Sequence, residues 1–170
     1  MVSTISDADD ETMAEDVVNR REPEDELRAA LASIAGGIVG TATMTLVLFV
    51  VNAVYGSTLD VFGTVAELAG GGSSVFLGFA LFFGAGAVAW PLMFTTLGAY
   101  LPGKTLPMQG VVFACILWVG FVAAFATRYA GTDLLVFLGF SIVTHLVYGY
   151  LLGFVTARLT GQYEAPELAV

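Results

Sequence analysis

Charge is so sparse beyond residue 28 that it leaves four long uncharged intervals, residues 29–59, 68–103, 105–127 and 134–157. About 20 apolar residues are enough to cross the ~30 Å hydrocarbon layer of a bilayer, and each interval exceeds that length. Hydrocarbon offers no partner for a bare peptide group, so a segment that crosses alone must satisfy its backbone as a helix. The chain therefore reads as an all-α, polytopic membrane protein with four transmembrane helices, near residues 30–55, 74–100, 107–129 and 133–159. The composition agrees, with 57% hydrophobic and 12% charged residues among 170.

Helix-end chemistry sits where these spans need it. Ser73 and Ser74 can cap the second, Pro107 suits a first turn, and Asp133 can accept orphan N–H groups of the fourth. Pro102-Gly103 stops the second helix. Pro91 lies within it and removes one backbone donor, which predicts a kink between Trp90 and Thr95, serving either packing or gating.

Arg20, Arg21, Arg28, Lys104 and Arg158 fall on one side of such a topology, and Arg128 alone on the other. The positive-inside rule then puts both termini in the cytoplasm of a multi-pass cell-membrane protein. The first 28 residues lack the apolar and basic regions of a signal peptide and read as a disordered cytoplasmic tail. Residues 29–159 form the transmembrane domain, and 160–170 a short cytoplasmic C-terminal tail. Asp7, Asp9, Asp10, Glu11, Glu15, Asp16, Glu22, Glu24, Asp25 and Glu26 crowd the tail, which accounts for most of the net charge of −9. An acidic excess with a single lysine fits a halophile source, and it also suits docking to a basic partner.

The outer loop from Gly56 to Gly72 holds Phe62, Val65, Ala66 and Ala69 at helical spacing, which predicts a short amphipathic helix in the outer interface. Asp60 and Glu67, seven residues apart, fall on one face of it. They form either a solvated edge or a pair that holds a cation or a basic partner. The string VFLGF occurs at residues 75–79 and again at 136–140, so a parallel duplication of a two-helix unit is one reading, and chance similarity between Phe/Leu/Gly-rich helices is the other.

Small residues at Ala32, Gly36 and Gly40 make a seam on the first helix, and Gly149 and Gly153 make one on the fourth. Such seams let backbones approach where lipid gives no hydrophobic drive, and they read as packing faces within or between chains. His145, the one histidine, falls near the middle of the fourth span beside Thr144 and Tyr148. It either makes a structural hydrogen bond, to a threonine hydroxyl on a neighbouring helix for instance, or binds a cofactor such as haem, copper or a quinone. Haem would need a second ligand, from Met44, Met93 or another subunit. The centre of each span lacks Asp, Glu, Lys and Arg, which argues against ion-coupled pumping, although a path lined by Thr, Ser and Asn52 stays open. Cys115 has no partner in the chain, and no nucleotide, hydrolase or metalloprotease motif occurs. No enzymatic activity, metal or cofactor is expected; the partners are the lipid bilayer and other membrane subunits or a second copy, not nucleic acid.

GGIVGTATMT at 36–45, D-x-x-G-x-x-A-E-L-A at 60–69, LPG at 101–103 and HLVYGYLLG at 145–153 resemble a family of small, uncharacterised four-span membrane proteins of haloarchaea and bacteria. The resemblance covers about residues 30–159 and carries no activity. Some members look like neighbours of terminal-oxidase components, which implies an accessory role in a respiratory oxidase-like complex. The alternative is a homo-oligomeric channel or small-solute transporter. The family pattern places a histidine in the second span, where this chain has Phe82 and Phe83; that departure counts against a two-histidine site.

Overall fold

A computed structural model describes residues 23–55 and 59–164. Most of the acidic tail, residues 1–22, lies outside the described residues, as does the end of the C-terminal tail. The described elements are helices: α1 (Pro23–Tyr55), α2 (Val61–Leu68), α3 (Val75–Gly84), a π-helical turn (Ala85–Ala89), α4 (Trp90–Leu97), α5 (Leu106–Phe125) and α6 (Gly131–Thr160). Short 3-10 turns, Gly98–Tyr100 and Ala126–Arg128, end α4 and α5. Four helical stretches are long and apolar enough to cross a membrane, α3 to α4 counting as one because the helix continues through the π turn. The four expected spans are thus present.

α1 starts at Pro23, ahead of the expected start near residue 30. Its first turn takes up Glu24, Asp25 and Glu26, whose negative charge suits the positive end of the helix dipole. At 33 residues and ~1.5 Å per residue it is about 50 Å long, so it overruns the hydrocarbon layer. Ser74 caps α3 as expected, accepting from the Leu77 N–H at 3.3 Å. Asp133 does not cap α6: the helix begins two residues earlier at Gly131, the left-handed residue with φ 57°, and Asp133 sits within the first turn.

Helix α6 is central. On one face it meets α1, where a methyl group on Gly36 would come within 2.7 Å of the Leu152 carbonyl oxygen and one on Gly40 within 2.7 Å of the Tyr148 ring. On another face it meets α5, where a methyl on Gly149 would collide with the Gly110 carbonyl and one on Gly153 with the Leu106 carbonyl. The two small-residue seams therefore meet neighbours within this one chain, and they are different interfaces. Gly110 and Ala114, one turn apart on α5, supply the opposite wall for Gly149. That small-xxx-small spacing was readable in the sequence.

The second span packs mainly on α1. Pro91 lies against Gly37, where any side chain would overlap the proline ring and the Gly86 carbonyl. The irregularity that Pro91 causes comes before the proline, at Ala85–Ala89, and not between Trp90 and Thr95 as expected. A proline lacks its own N–H, so the unmatched carbonyl lies on the preceding turn, and the backbone there widens to i,i+5 bonding, with the Trp90 N–H donating to Ala85 O.

The ends of the bundle differ in charge. At one end Arg28 donates to the Leu159 carbonyl at 3.1 Å, and the Leu106 N–H donates to Tyr163 O beside the Thr105–Glu164 bridge, which places Arg28, Lys104 and Arg158 together. At the other end lie Asp60, Glu67, Arg128 and Asp133. The two VFLGF strings both sit near that second end but in unlike surroundings. Phe76 is 81% exposed where its counterpart Phe137 is fully buried. Gly78 abuts the Phe62 carbonyl, and Gly139 faces open space.

Gly149→Leu or Gly110→Leu should abolish assembly or sharply lower the melting temperature of the detergent-purified protein. Gly139→Leu, at a position open to the surroundings, should melt and elute as the wild type does.

Candidate functional site

The second and third spans touch near one end of the bundle and part towards the other. Phe94 of α4 and Phe113 of α5 meet there with ring centroids 5.6 Å apart, in a core that includes Met44, Tyr148 and Leu152. Beyond that contact a cleft of about 680 Å³ opens between the second span and α5. Its far end is bounded by Val65 and Leu68 of α2 and by Ala69, which follows that helix. Leu81, Phe82, Ala85 and Trp90 line one side, Ile116, Leu117, Gly120 and Phe121 the other, and Thr41, Met44, His145 and Tyr148 the back. No lining residue carries a formal charge when His145 is neutral.

α2 closes the far end because its apolar face turns inward. Asp60 caps the helix, accepting from the Gly63 N–H at 2.9 Å, while Thr64 donates its hydroxyl to the Asp60 carbonyl. Phe62 then packs edge-on against Phe79 and Phe82 at 5.5 and 5.6 Å. The expected short helix is present, and its apolar face rests on protein, with Ala66 fully buried. Its two carboxylates are not a pair: Asp60 serves its own helix end, and Glu67 makes an ion pair with Arg128 at the close of the third span. Beside them the Tyr129 phenol is pushed up from its ordinary range, first by burial and then by the nearby Asp60 carboxylate, with Arg128 opposing. Among the described residues no cluster of three or more His, Cys, Asp or Glu side chains could hold a metal ion.

The back wall of the cleft holds its polar chemistry. His145 Nδ1 lies 2.8 Å from the Ser141 carbonyl of its own helix. A carbonyl oxygen only accepts, so Nδ1 carries the proton and Nε2 of the neutral ring is an acceptor directed away from that contact. The bond goes back along α6 and not to a threonine on a neighbouring helix. The ring is buried and rests 5.0 Å from the Phe121 ring. The Trp118 indole N–H donates to the Ser141 hydroxyl at 3.0 Å, and Thr144 donates to Phe140 and Ser141 carbonyls. Tyr148 donates its hydroxyl at 2.7 Å to Gly86 O, the carbonyl that a Pro91 N–H would meet in the π register. The Thr41 hydroxyl, buried on the same wall, has no hydrogen-bond partner.

Of the residues singled out from sequence, the cleft gathers His145 and Met44, and Met93 does not line it. Gly36 and Gly40 with Gly149 and Gly153 build helix contacts of the bundle, and Ala32 is buried. Tyr148, already named beside His145, falls on the same helix face three residues later, whereas Thr41, Trp90 and Phe121 join the lining only in three dimensions.

A family model described as a family of unknown function, DUF6789, matches residues 27–167. The chain belongs to that family. No curated protein and no solved structure matches the chain. The DUF6789 match spans all four helices, α2 and the cleft, and begins just before Arg28.

Tyr148→Phe in this DUF6789 protein should lower stability by about 1 kcal/mol, the ordinary scale of a hydrogen bond between membrane helices, because the Gly86 carbonyl loses its donor in an apolar setting. Equilibrium unfolding in mixed micelles reads this directly, and an unchanged midpoint would show that the bond is incidental.

Proposed function

We propose that this chain is a non-enzymatic accessory subunit of a larger membrane complex, and that it contributes a binding surface and no reacting group of its own. The observation that carries the reading is the cleft. Two spans are braced on inner helices while the side between them stays apart, and the resulting apolar recess faces the direction from which membrane-dissolved molecules or partner helices arrive. The respiratory oxidase-like setting rests on the family resemblance of the four sequence motifs. The acidic N-terminal segment fits a source that lives in concentrated salt.

In this reading the protein lies in the cell membrane with both termini in the cytoplasm, because Arg28, Lys104 and Arg158 share one end of the bundle and Arg128 is paired with Glu67 at the other. Single cysteines introduced at Ser3 and Ala169, in a Cys115-free background, should resist an impermeant thiol reagent in intact cells, while one at Ser73 should react. The opposite labelling pattern would reverse the topology.

The complex itself is tested by extraction from native membranes in mild detergent without crosslinking. Co-elution with haem-bearing subunits is expected, while this chain purified alone should show no Soret band. A symmetric homo-oligomer that passes solutes when reconstituted in liposomes would replace the accessory reading with a channel or transporter. Stoichiometric haem in the isolated chain, lost in His145→Gln, would make it an electron-transfer subunit.

A further inference from the structure

We propose that the cleft is a binding site for a phenolic lipid, a phenol or hydroquinone ring with a hydrocarbon tail, whose hydroxyl donates to His145 Nε2. The inference rests on the reading of the cleft as a binding surface and adds the chemistry of its occupant.

Three features select that class. The first is hydrogen-bond polarity. With Nδ1–H held by the Ser141 carbonyl, His145 presents an acceptor. The Tyr148 hydroxyl spends its proton on Gly86 O and keeps acceptor capacity. No described side chain donates to Nε2, and an acceptor left unmet in an apolar recess costs free energy that a ligand hydroxyl recovers.

The second feature is shape and surface. Phe82, Trp90, Phe121 and Phe125 line the recess, and aromatic walls favour a flat ring through offset or edge contacts beyond simple burial. A volume of about 680 Å³ takes such a ring and the start of its tail, and the lateral opening lets the rest of the tail remain in lipid. The third is charge. No lysine or arginine lines the cleft, so a phosphate head group would be buried without a counter-charge, which excludes phospholipid head groups as the recognised part.

The chain carries its own reporter. It contains two tryptophans, of which Trp90 lines the cleft, so the intrinsic tryptophan emission of the unaltered chain responds to an occupant there. The probes are 4-nonylphenol and its methyl ether, 4-nonylanisole, which match in ring and tail and differ in the donor. Titrated into the intact protein in detergent, the phenol should change tryptophan emission saturably and bind about tenfold tighter than the ether, the scale of one hydrogen bond to a buried acceptor. His145→Leu should remove that preference and leave ether binding unchanged, and His145→Gln, which keeps an acceptor, should retain part of it. Gly120→Phe fills the cleft from a position with open space around it and should abolish binding of both probes while the protein melts normally. Equal affinity for phenol and ether, or an undiminished preference in His145→Leu, would overturn the proposal. So would saturable phenol binding that survives Gly120→Phe. Because the isolated chain is titrated, the result is independent of whether a larger complex is recovered from membranes.

Discussion

A peptide group in hydrocarbon has no water to turn to, and the layout of this bundle follows from how that demand is met at Pro91. The missing N–H widens the turn at Ala85–Ala89, and Gly86 O is satisfied by a tyrosine from another span. That bond ties the second span to α6 across α1. It also fixes Tyr148 where its ring lies against Gly40, so the proline defect, the small residue on α1 and the tyrosine on α6 are one packing unit. Pro91 against Gly37 completes the contact from the other side. The π turn is accordingly packed against partners from two other helices.

The glycines decide which helices touch. Lipid tails are as apolar as leucine, so close backbone approach and dispersion contact replace the hydrophobic drive that assembles soluble bundles. Gly36 and Gly40 admit α6 to α1, and Gly110 with Gly149 and Gly153 admits α5 to α6. The second span and α5 lack a comparable seam between them. They meet through the bulky pair Phe94 and Phe113, which holds them apart, and α2 bridges the far end through Phe62 and Val65. A cleft results from small residues at two interfaces and large ones at the third.

Polar groups on the back wall are then placed by α6 itself. Ser141, Thr144, His145 and Tyr148 follow at spacings of three and four, on one face. The Ser141 carbonyl sets the tautomer of His145, and the Trp118 indole holds the Ser141 side chain from α5. The uncharged interior and the charged ends are consistent with this. Among the described residues the ionic contact Glu67–Arg128 sits at the end of a span, while neutral donors and acceptors act within.

The sequence by itself determined the class and the count: four uncharged stretches longer than a bilayer is thick, a serine cap at Ser74, a stop at Pro102-Gly103 and an amphipathic α2. These are local or one-dimensional properties, set by length, charge and the chemistry of single turns. It also marked Gly36, Gly40, Gly149 and Gly153 as packing positions, since a glycine row on an apolar helix has few other uses. Which surface each row meets was decided by the tertiary structure, because a seam specifies closeness and not a partner. The same holds for His145 and for Asp60 and Glu67. Residue type gave them chemistry, but the direction of a ring nitrogen or a carboxylate depends on neighbours brought close by folding: the Ser141 carbonyl, the Gly63 N–H and Arg128. The cleft is the furthest from the sequence, for it is the space left where two spans, each obeying its own local pattern, are kept apart by the helices between them.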